Sequence, residues 1–345
     1  MGLYHESGFL NFDHVERVAD SNHINFVVII GKRQVGKTYG TLDLMLRRDY
    51  YFMMLRRTAD EMKFITVDVN NPFEKLPYNI KIESESKYTA QIKRIETDGE
   101  TVNDRRIGTV TALSTIAKIR GFDGSRYTQL VYDEAIPETH VIKLRHEGDA
   151  FLNAYTTISG NREIEGLPPL RAWILANSND IGAPILQAIG IGDVVERMSY
   201  SAQEIAVLEK RGIMIILPAS EHITELRSQT ALYRAIGTDS DFSKMSLQNE
   251  FSYNDRSDVC RVDLKQYKPI VRVDDLFVIW EHKSVEKIYV STVGATPTRD
   301  RYSNDEQGRK RFRNDWPNTR ALYMTGCVQF QTVAVKSLFV DFVYV

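Results

Sequence analysis

The distribution of apolar residues predicts alternating strands and helices over the first two thirds of the chain. Residues 24–30, INFVVII, are continuously apolar and rich in β-branched side chains, which is typical of a strand buried on both faces of a parallel sheet. A helix with apolar residues near one face is predicted to follow at 37–51. Further buried strands are predicted at 52–57, 128–135, 171–180 and 212–220. This alternation predicts a parallel sheet covered by helices.

Other segments depart from this pattern. Thr58 and Glu61 predict a capping box at the start of a helix. Residues 79–113 alternate around the turn TDGE, which predicts an antiparallel hairpin inserted into the α/β pattern. A polar segment compatible with helix ends in a Gly, Asp and Ser cluster that indicates a linker, and β-rich segments follow it. The predicted domains are 1–220, a linker at 221–244 and a smaller domain at 245–345.

Net charge and cysteine content limit which binding partners and which cellular compartment we expect. The 345 residues carry 44 Lys and Arg against 46 Asp and Glu, so a net charge of -2 gives no overall attraction to nucleic acid or anionic membrane. Any polyanion must therefore bind at a local basic patch. Cys260 and Cys327 lack metal-like spacing, which fits a reducing compartment. Without a signal-peptide layout or an apolar run of ~20 residues, we expect a soluble, intracellular protein.

The segment GKRQVGKT satisfies the pattern G-x-x-x-x-G-K-[ST] between a predicted strand and a predicted helix. In that context it indicates a phosphate-binding loop, because loop N–H groups and the helix N-terminus face the phosphates. We predict that Lys37 contacts the β and γ oxygens of a nucleotide and that Thr38 binds Mg2+. The alternative is a glycine turn with an exposed lysine. The predicted nucleotide-binding residues are Gly31, Lys32, Arg33, Gln34, Val35, Gly36, Lys37 and Thr38.

Two more predicted strands end in polar side chains. Asp133 and Glu134 follow QLVY, and Asn177 follows WILA. We predict that Asp133 holds the Mg2+ and that Glu134 is the general base that orients and deprotonates the attacking water. Asn177 is predicted to contact the γ-phosphate or that water. The alternatives are that the acids cap a following helix and that Asn177 forms a turn.

Basic residues supply the remaining candidates. Arg33, Arg120 and Arg162 are each able to stabilise a transferring phosphoryl group, from the same or a neighbouring subunit, or are ordinary solvated side chains. Residues 298–316 interleave basic and aromatic side chains, which suits phosphate contacts and base stacking, although nearby acids leave an ordinary charged loop as the alternative. The candidate nucleic-acid or partner-binding residues there are Arg299, Arg301, Arg309, Lys310, Arg311 and Arg313.

Together these motifs resemble the DNA-packaging (encapsidation) ATPases of phi29-like bacteriophages. The shared features are the arginine at Arg33, the pair in LRRTADEM after the second strand, the strand that ends in Asp-Glu and the strand end that contains Asn. Residues 245–251, MSLQNEF, are similar to the opening of that family's C-terminal domain. The resemblance covers most of the chain and is strongest from 24 to 180.

The resemblance implies an α/β fold: a P-loop ATPase of the additional-strand, conserved-glutamate (ASCE) type with a parallel central sheet and helices on both faces. A small RNase H-like α+β C-terminal domain without nuclease activity would follow. It further implies a homopentameric ring that uses ATP and Mg2+ to pump double-stranded DNA into an empty capsid. The implied partners are DNA, the portal or connector, the capsid vertex and a packaging RNA, with no membrane. The implied location is the host cytoplasm, with transient docking on the procapsid and absence from the mature virion.

The resemblance also assigns residue roles. Gly31, Gly36, Lys37 and Thr38 match the phosphate loop, Asp133 and Glu134 the metal acid and the base, and Asn177 the asparagine beside the γ-phosphate. Arg120 falls where the family has a basic residue that acts in trans, with arginine in place of lysine. SGNRE is similar to a family segment FRNRE, so Arg162 is the candidate trans arginine finger, while Gly160 replaces the first arginine of that pair.

The C-terminal domain carries acids that bear on nuclease activity, namely Asp274, Asp275, Glu281 and Asp341. A nuclease needs carboxylates that converge on two metals ~4 Å apart. Asp274 and Asp275 are adjacent and would point to opposite faces of a strand, so we predict an inactive, nuclease-like domain used for binding. The open alternatives are a terminase-type ATPase with an active nuclease, another P-loop translocase or helicase loader, and a nucleotide-binding structural adaptor without turnover. The presence of Glu134 argues against the last.

Overall fold

The computed structural model describes residues 2–98, 101–119, 124–138, 141, 144, 146–177, 180–248, 255–292 and 299–344. The strands are β1 (Phe26–Ile30), β2 (Phe52–Arg56), β3 (Ile80–Ser84), β4 (Thr89–Asp98), β5 (Thr101–Ala112), β6 (Gln129–Tyr132), β7 (Arg171–Ala176), β8 (Ile205–Leu208), β9 (Ile213–Ile216), β10 (Tyr267–Val273), β11 (Phe277–His282), β12 (Ile288–Ser291), β13 (Asp300–Tyr302) and β14 (Val328–Phe330).

The α-helices are α1 (Phe12–Ser21), α2 (Lys37–Arg47), α3 (Ala59–Phe64), α4 (Glu147–Ser159), α5 (Pro184–Ala188), α6 (Gly192–Ser201), α7 (Glu221–Ser228), α8 (Ala231–Ile236), α9 (Asp241–Gln248), α10 (Glu306–Asp315), α11 (Thr319–Met324) and α12 (Val333–Tyr344). Short 3-10 segments are Asp68–Asn70, Leu113–Ile119, Glu209–Arg211 and Leu264–Gln266. The chain forms two compact units, one of residues 1–179 and 198–252, the other of residues 180–197 and 253–345.

The first unit contains a nine-stranded sheet in the order β3-β4-β5-β2-β6-β7-β1-β9-β8. The strands from β5 to β9 in this order pair in parallel, as the buried runs predicted, whereas β3, β4 and β8 are antiparallel to their neighbours. The predicted hairpin is confirmed as β4 and β5. The sequence reasoning did not identify β8, because its four residues are only half buried and give a short, weak apolar signal.

Helices pack on both faces of this sheet. Val27 and Ile29 of β1 share an apolar core with Leu42 and Met45 of α2. On the other face, Tyr132 of β6 stacks on Phe151 of α4 with ring centroids 5.4 Å apart. Because successive strand residues point to opposite faces, a strand buried on both sides is continuously apolar. The predicted parallel sheet with helices on both faces is therefore present in this unit.

The local signals around α3 and the linker also have structural counterparts. Thr58 and Glu61 form the reciprocal capping box that the sequence predicted, which fixes the start of α3 directly after β2. The predicted helical segment 221–244 contains α7, α8 and the start of α9. The compact units differ from the predicted domain boundaries in two places: residues 221–248 group with the first unit, and residues 180–197 group with the second.

The second unit contains a five-stranded sheet in the order β13-β10-β11-β12-β14. The three central strands form an antiparallel meander, and β13 and β14 pair in parallel with its two edges. Phe312 of α10 and Phe339 of α12 pack on the same apolar face of this sheet. Buried Glu196 of α6 accepts hydrogen bonds from the backbone N–H of Val333 and Ala334, which caps α12 and ties residues 180–197 to this unit.

Candidate active site

The residues predicted to bind phosphate and Mg2+ and to activate water lie at one edge of the sheet of the first unit. β1 leads into the loop from Gly31 to Thr38, β6 leads into Asp133 and Glu134, and β7 leads into Asn177. β7 pairs with both β1 and β6 in parallel. The carboxyl ends of the three strands therefore meet, which is where ligands bind in open α/β sheets.

The backbone of the loop has the conformation that phosphate binding requires. Gln34 and Gly36 have φ angles of 63° and 84°, and α2 begins immediately afterwards at Lys37. Left-handed residues in such a loop turn backbone N–H groups inward, and a helix N-terminus adds its positive end. A side chain at position 36 would be strained at this φ and would lie 3.3 Å from the ring of Phe9. The glycine is therefore required by geometry.

Lys37 lies inside the site and not on the surface. Its Nζ donates to the carbonyl oxygens of Gly31 and Lys32 at 2.9 and 2.8 Å and to Asn177 Oδ1 at 3.1 Å. Burial lowers the pKa of the Lys37 ammonium to about 7, against the opposing attraction of Asp133. This rules out the alternative of a glycine turn with an exposed lysine.

Thr38 and Asp133 form a pair of oxygen donors. Thr38 Oγ1 donates to Asp133 Oδ1 at 2.9 Å, and Asp133 is buried at the end of β6. A hydroxyl and a carboxylate are ligands that Mg2+ accepts. The two side chains therefore fit a magnesium ion that also contacts a nucleotide in the adjacent loop.

Glu134 stands next to this pair in a strained conformation. Its φ is 56°, which is unusual for a residue other than glycine and is often found at functional positions. The side chain reaches solvent, yet crowding at the strand ends desolvates the carboxylate and raises its pKa, an effect that Arg56 opposes and Asp133 reinforces. An accessible carboxylate beside the predicted metal acid has the position that a general base needs.

Arg56 joins the two acids, a role that the sequence reasoning did not assign. At the end of β2, its Nη1 donates to Asp133 at 2.8 Å and its Nη2 to Glu134 at 2.9 Å. The guanidinium is buried, and its Nε has no hydrogen-bond partner among the described residues. The sequence signal was the arginine pair that follows the second strand. This pair of arginines indicates a role at the acids only when β2 is known to pair with β6, because that pairing places Arg56 beside Asp133.

Other residues of the loop make contacts outside the group of Lys37, Thr38 and Asn177. Lys32 Nζ donates to Ser220 O at 2.9 Å and to Thr224 Oγ1 at the start of α7, and burial lowers its pKa to about 8. Arg33 forms an ion pair with Glu138, and its carbonyl oxygen accepts a hydrogen bond from Arg227 of α7 at 2.6 Å. The contacts with Ser220, Thr224 and Arg227 attach the loop to α7. Val35 is buried in the core and Gln34 is exposed.

The structure does not bring Arg162 to the site. Its guanidinium is buried and donates to the carbonyl oxygens of Tyr127 and Pro168. Tyr127 precedes the amino end of β6, so Arg162 lies at the opposite edge of the sheet from Asp133. In this conformation it braces its own subunit, and its role as a trans arginine finger stays a prediction. Arg120, the other candidate, lies outside the described residues.

The basic residues of the second unit that are candidates for nucleic-acid or partner binding differ in exposure. Arg299 and Arg311 are exposed and lie over the rings of Trp316 and Tyr302, with the guanidinium carbon 5.6 and 4.7 Å from the ring centroid. Arg309 is partly buried and donates to Asn304 Oδ1. Arg301 and Lys310 are exposed, and Arg313 is partly buried.

The acids of this unit have separate surroundings. The prediction that Asp274 and Asp275 lie on a strand is wrong. They form the turn between β10 and β11, where Asp274 has a left-handed φ of 38°. Asp275 pairs with Arg272, and Glu281 pairs with Lys268. Across the described parts of the chain, no three His, Cys, Asp or Glu residues are grouped so that they could hold a metal. In the same parts, no helix is long and apolar enough to cross a membrane.

Two solved structures are similar to nearly the whole chain. The Phi-28 gp11 DNA packaging motor matches with a TM-score of 0.60 and 17% sequence identity, covering 96% of this chain and 97% of that one. The bacteriophage Phi-29 viral genome packaging motor assembly matches with a TM-score of 0.60 and 14% identity, covering 99% and 98%. No protein-family model and no curated protein sequence matches. The resemblance to packaging ATPases is thus confirmed at the level of the fold.

Proposed function

We propose that the protein is an ATPase that drives double-stranded DNA into a viral capsid. The observation that carries the proposal is the convergence of Lys37, Thr38, Asp133, Glu134 and Asn177 at one sheet edge, on a fold similar to two packaging motors over nearly their full length. The motif alone indicates only phosphate binding. Glu134 as a general base and the Asn177 amide extend the proposal from phosphate binding to ATP hydrolysis.

Each residue has a defined task in the proposed reaction. The loop N–H groups and Lys37 would hold the phosphates, and Thr38 and Asp133 would hold Mg2+. The ion would neutralise charge on the β and γ oxygens. Glu134 accepts a proton from the attacking water, and Arg56 holds that carboxylate next to Asp133. Asn177 contacts the γ-phosphate or the water.

The strand order supports assignment to the ASCE type of P-loop ATPase. In that type an additional strand separates the strand that precedes the P-loop from the strand that carries the acids. Here β7 lies between β1 and β6 and contributes Asn177 from its own carboxyl end. The extra strand thus places a polar side chain between the phosphate loop and the base.

We further propose that the active unit is a ring of identical subunits, a homopentamer, in which ATP is hydrolysed at subunit interfaces. Arg120 remains the candidate for a residue that acts on a neighbour's nucleotide. Arg162 would have to leave its two carbonyl partners to serve as the arginine finger. The proposed partners are the portal or connector, the capsid vertex and a packaging RNA, met in the host cytoplasm during transient docking on the procapsid.

The second unit is proposed to be an RNase H-like domain that binds nucleic acid or a partner and does not cut DNA. Its antiparallel meander with a parallel strand beside the first member supports the RNase H-like assignment. The separate ion pairs of Asp275 and Glu281 support a binding role, since a two-metal nuclease needs converging carboxylates. A cleavage assay with Mg2+ or Mn2+ that degrades DNA would contradict this part.

The decisive experiment measures ATP hydrolysis with and without double-stranded DNA and empty capsids. We expect stimulation that requires both and is absent in Glu134→Gln, a variant that keeps the shape of the side chain. Stimulation by neither would contradict packaging. Hydrolysis that persists in Glu134→Gln would contradict the assigned base.

A further inference from the structure

A buried charged cluster lies at the start of α4, on the face of the sheet opposite to α2. Arg57 donates to Glu147 through Nε at 2.6 Å and through Nη2 at 3.1 Å, and the Tyr132 hydroxyl donates to the same carboxylate at 2.9 Å. Arg57 and Glu147 are each 1% exposed, and Tyr132 is fully buried. Among the described residues, no hydrogen bond or ion pair joins any of the three to the phosphate loop.

The cluster is covalently joined to the acid pair in two places. Arg57 follows Arg56, which bridges the acids, and Tyr132 precedes Asp133. Successive residues of a strand point to opposite faces. At the end of β2, Arg56 therefore reaches the acids and Arg57 reaches Glu147. At the end of β6, Tyr132 reaches Glu147, and the next residue, Asp133, is itself one of the acids. The backbone joins the same two ends, because the N–H of Asp133 donates to Leu55 O at 3.1 Å.

The energetics of a buried ion pair point to a role beyond stability. Removing one partner leaves an uncompensated charge, whereas replacing both partners by apolar groups of similar volume is often neutral or stabilising. Packing α4 against the sheet therefore does not by itself require an ion pair at these positions. A hydrophobic pair would lack the two parallel hydrogen bonds from Arg57 to Glu147. These bonds fix the direction of the Arg57 side chain and thus the end of β2.

We propose that Glu147 is a positioning residue. Through Arg57 and Tyr132 it holds the ends of β2 and β6 in register, so that the fork of Arg56 meets Asp133 and Glu134 in the arrangement needed for hydrolysis. The inference deepens the proposed ATPase function and rests on it. Through Arg57 and Tyr132, α4, whose first residue is Glu147, also influences the catalytic acids.

The main test replaces both charges in Arg57→Met/Glu147→Met, because Glu147→Gln alone removes the buried carboxylate that faces Arg57 and endangers folding. Tyr132→Phe removes only the hydroxyl. The matched control is Tyr155→Phe, which removes a hydroxyl on the same helix that donates to Leu170 O. The buried Tyr132 hydroxyl loses its acceptor in the double variant, so the melting temperature should fall slightly. We expect the variant to keep its fold and its ATP affinity but to lose about 10- to 100-fold in kcat, because small misplacements of catalytic groups are costly.

The expected order is a large loss of kcat for the double variant, a smaller loss for Tyr132→Phe and none for Tyr155→Phe. A stable double variant with the kcat of the parent would overturn the inference and leave the proposed ATPase function intact. Absence of hydrolysis in the parent chain would instead overturn the proposed function. These two failures are therefore distinguishable.

Amide hydrogen exchange provides a readout that does not depend on activity. We expect the double variant to exchange faster over residues 129–138, where the acids lie, and to be unchanged over residues 26–40, which contain the phosphate loop. Exchange that is unchanged over 129–138 would overturn the positioning role, whatever the rate of hydrolysis. Faster exchange over both segments would also overturn it, because it would indicate general loosening of the sheet.

Discussion

The Nζ of Lys37 donates a hydrogen bond to Oδ1 of Asn177 at 3.1 Å across 140 positions of the sequence. The contact exists because β7 is inserted between the strand that leads into the phosphate loop and the strand that carries the acids. An amide at this point can both hold the lysine and reach a γ-phosphate. The remaining contacts of the site can be tested in the same residue-by-residue manner.

Replacing Asn177 should affect the chemical step more than binding. Asn177→Ala removes a polar group that would act on developing charge, and losing one such group lowers kcat by about 100-fold. ATP affinity should change little, because Lys37 keeps its contacts to Gly31 and Lys32. Steady-state kinetics combined with direct ATP binding measure the two effects separately. An unchanged kcat would return Asn177 to the role of a simple turn residue.

The buried ammonium of Lys37 should make ATP affinity depend on pH. Burial lowers the pKa of Lys37 to about 7, so the side chain is charged below pH 7 and increasingly neutral above it. Phosphate binding favours the charged form, so binding above pH 7 must take up a proton. Affinity should therefore be nearly constant below pH 7 and fall above it by up to about tenfold per pH unit. Calorimetric titration in buffers of different ionisation enthalpy measures the proton uptake, and constant affinity to pH 9 would contradict it.

Arg56 should set the acid limb of the activity profile. Desolvation raises the pKa of Glu134, and Arg56 opposes that rise. Arg56→Gln removes the opposing charge, so the pKa of Glu134 should rise further. A base works only when deprotonated, hence the pH below which kcat declines should move upward in this variant. An acid limb at the same pH in both proteins would show that Glu134 is not the titrating base.

The sequence identified groups whose position follows from strand ends, and it failed where a role depends on long-range pairing or burial. Lys37, Asp133 and Asn177 each follow a buried parallel strand, so their convergence could be inferred from local patterns. Arg56 needed the pairing of β2 with β6, which no local pattern states. The motif match that makes Arg162 a candidate finger does not report that its guanidinium is buried, and its role in trans stays a prediction.

The loop itself illustrates the same limit. Consecutive side chains in GKRQVGKT diverge because the φ angles of Gln34 and Gly36 redirect the backbone. The motif therefore predicts which backbone binds phosphate but not that Lys32 is anchored at the start of α7. Residues 180–197 show the limit at the level of domains, because only three-dimensional contacts assign them to the second unit.

The attachment of the loop to α7 should contribute to nucleotide affinity. Arg227 donates to Arg33 O at 2.6 Å and to Ser246 O at 2.8 Å, so it holds the outer side of the loop. Arg227→Met removes these charge-assisted bonds and should weaken ATP binding about tenfold, with kcat nearly unchanged. Arg234→Met is the matched control, because Arg234 is exposed on neighbouring α8. Equal affinities in the two variants would contradict a role of α7 in shaping the loop.

The exposed basic side chains of the second unit should contribute to DNA affinity. Arg299 and Arg311 lie over aromatic rings, which restricts their motion and lowers the entropy cost of a phosphate contact. The test variant replaces by alanine the exposed residues Arg299, Arg301, Lys310 and Arg311, and keeps Arg309 because it bonds to Asn304 within its own unit. DNA affinity should fall, with a shallower dependence on salt, by about one unit of log–log slope for each lost phosphate contact.

A matched control separates a local patch from total charge. The control variant removes the same number of exposed charges from the same unit by replacing Lys265, Lys268, Lys283 and Lys287. Each variant loses four positive charges from a chain of net charge -2, so both carry the same overall repulsion toward DNA. If the patch around β13 and α10 binds phosphates, only the first variant should lose affinity and salt dependence. Equal losses in both would show that DNA responds to net charge and that this patch is an ordinary solvated surface.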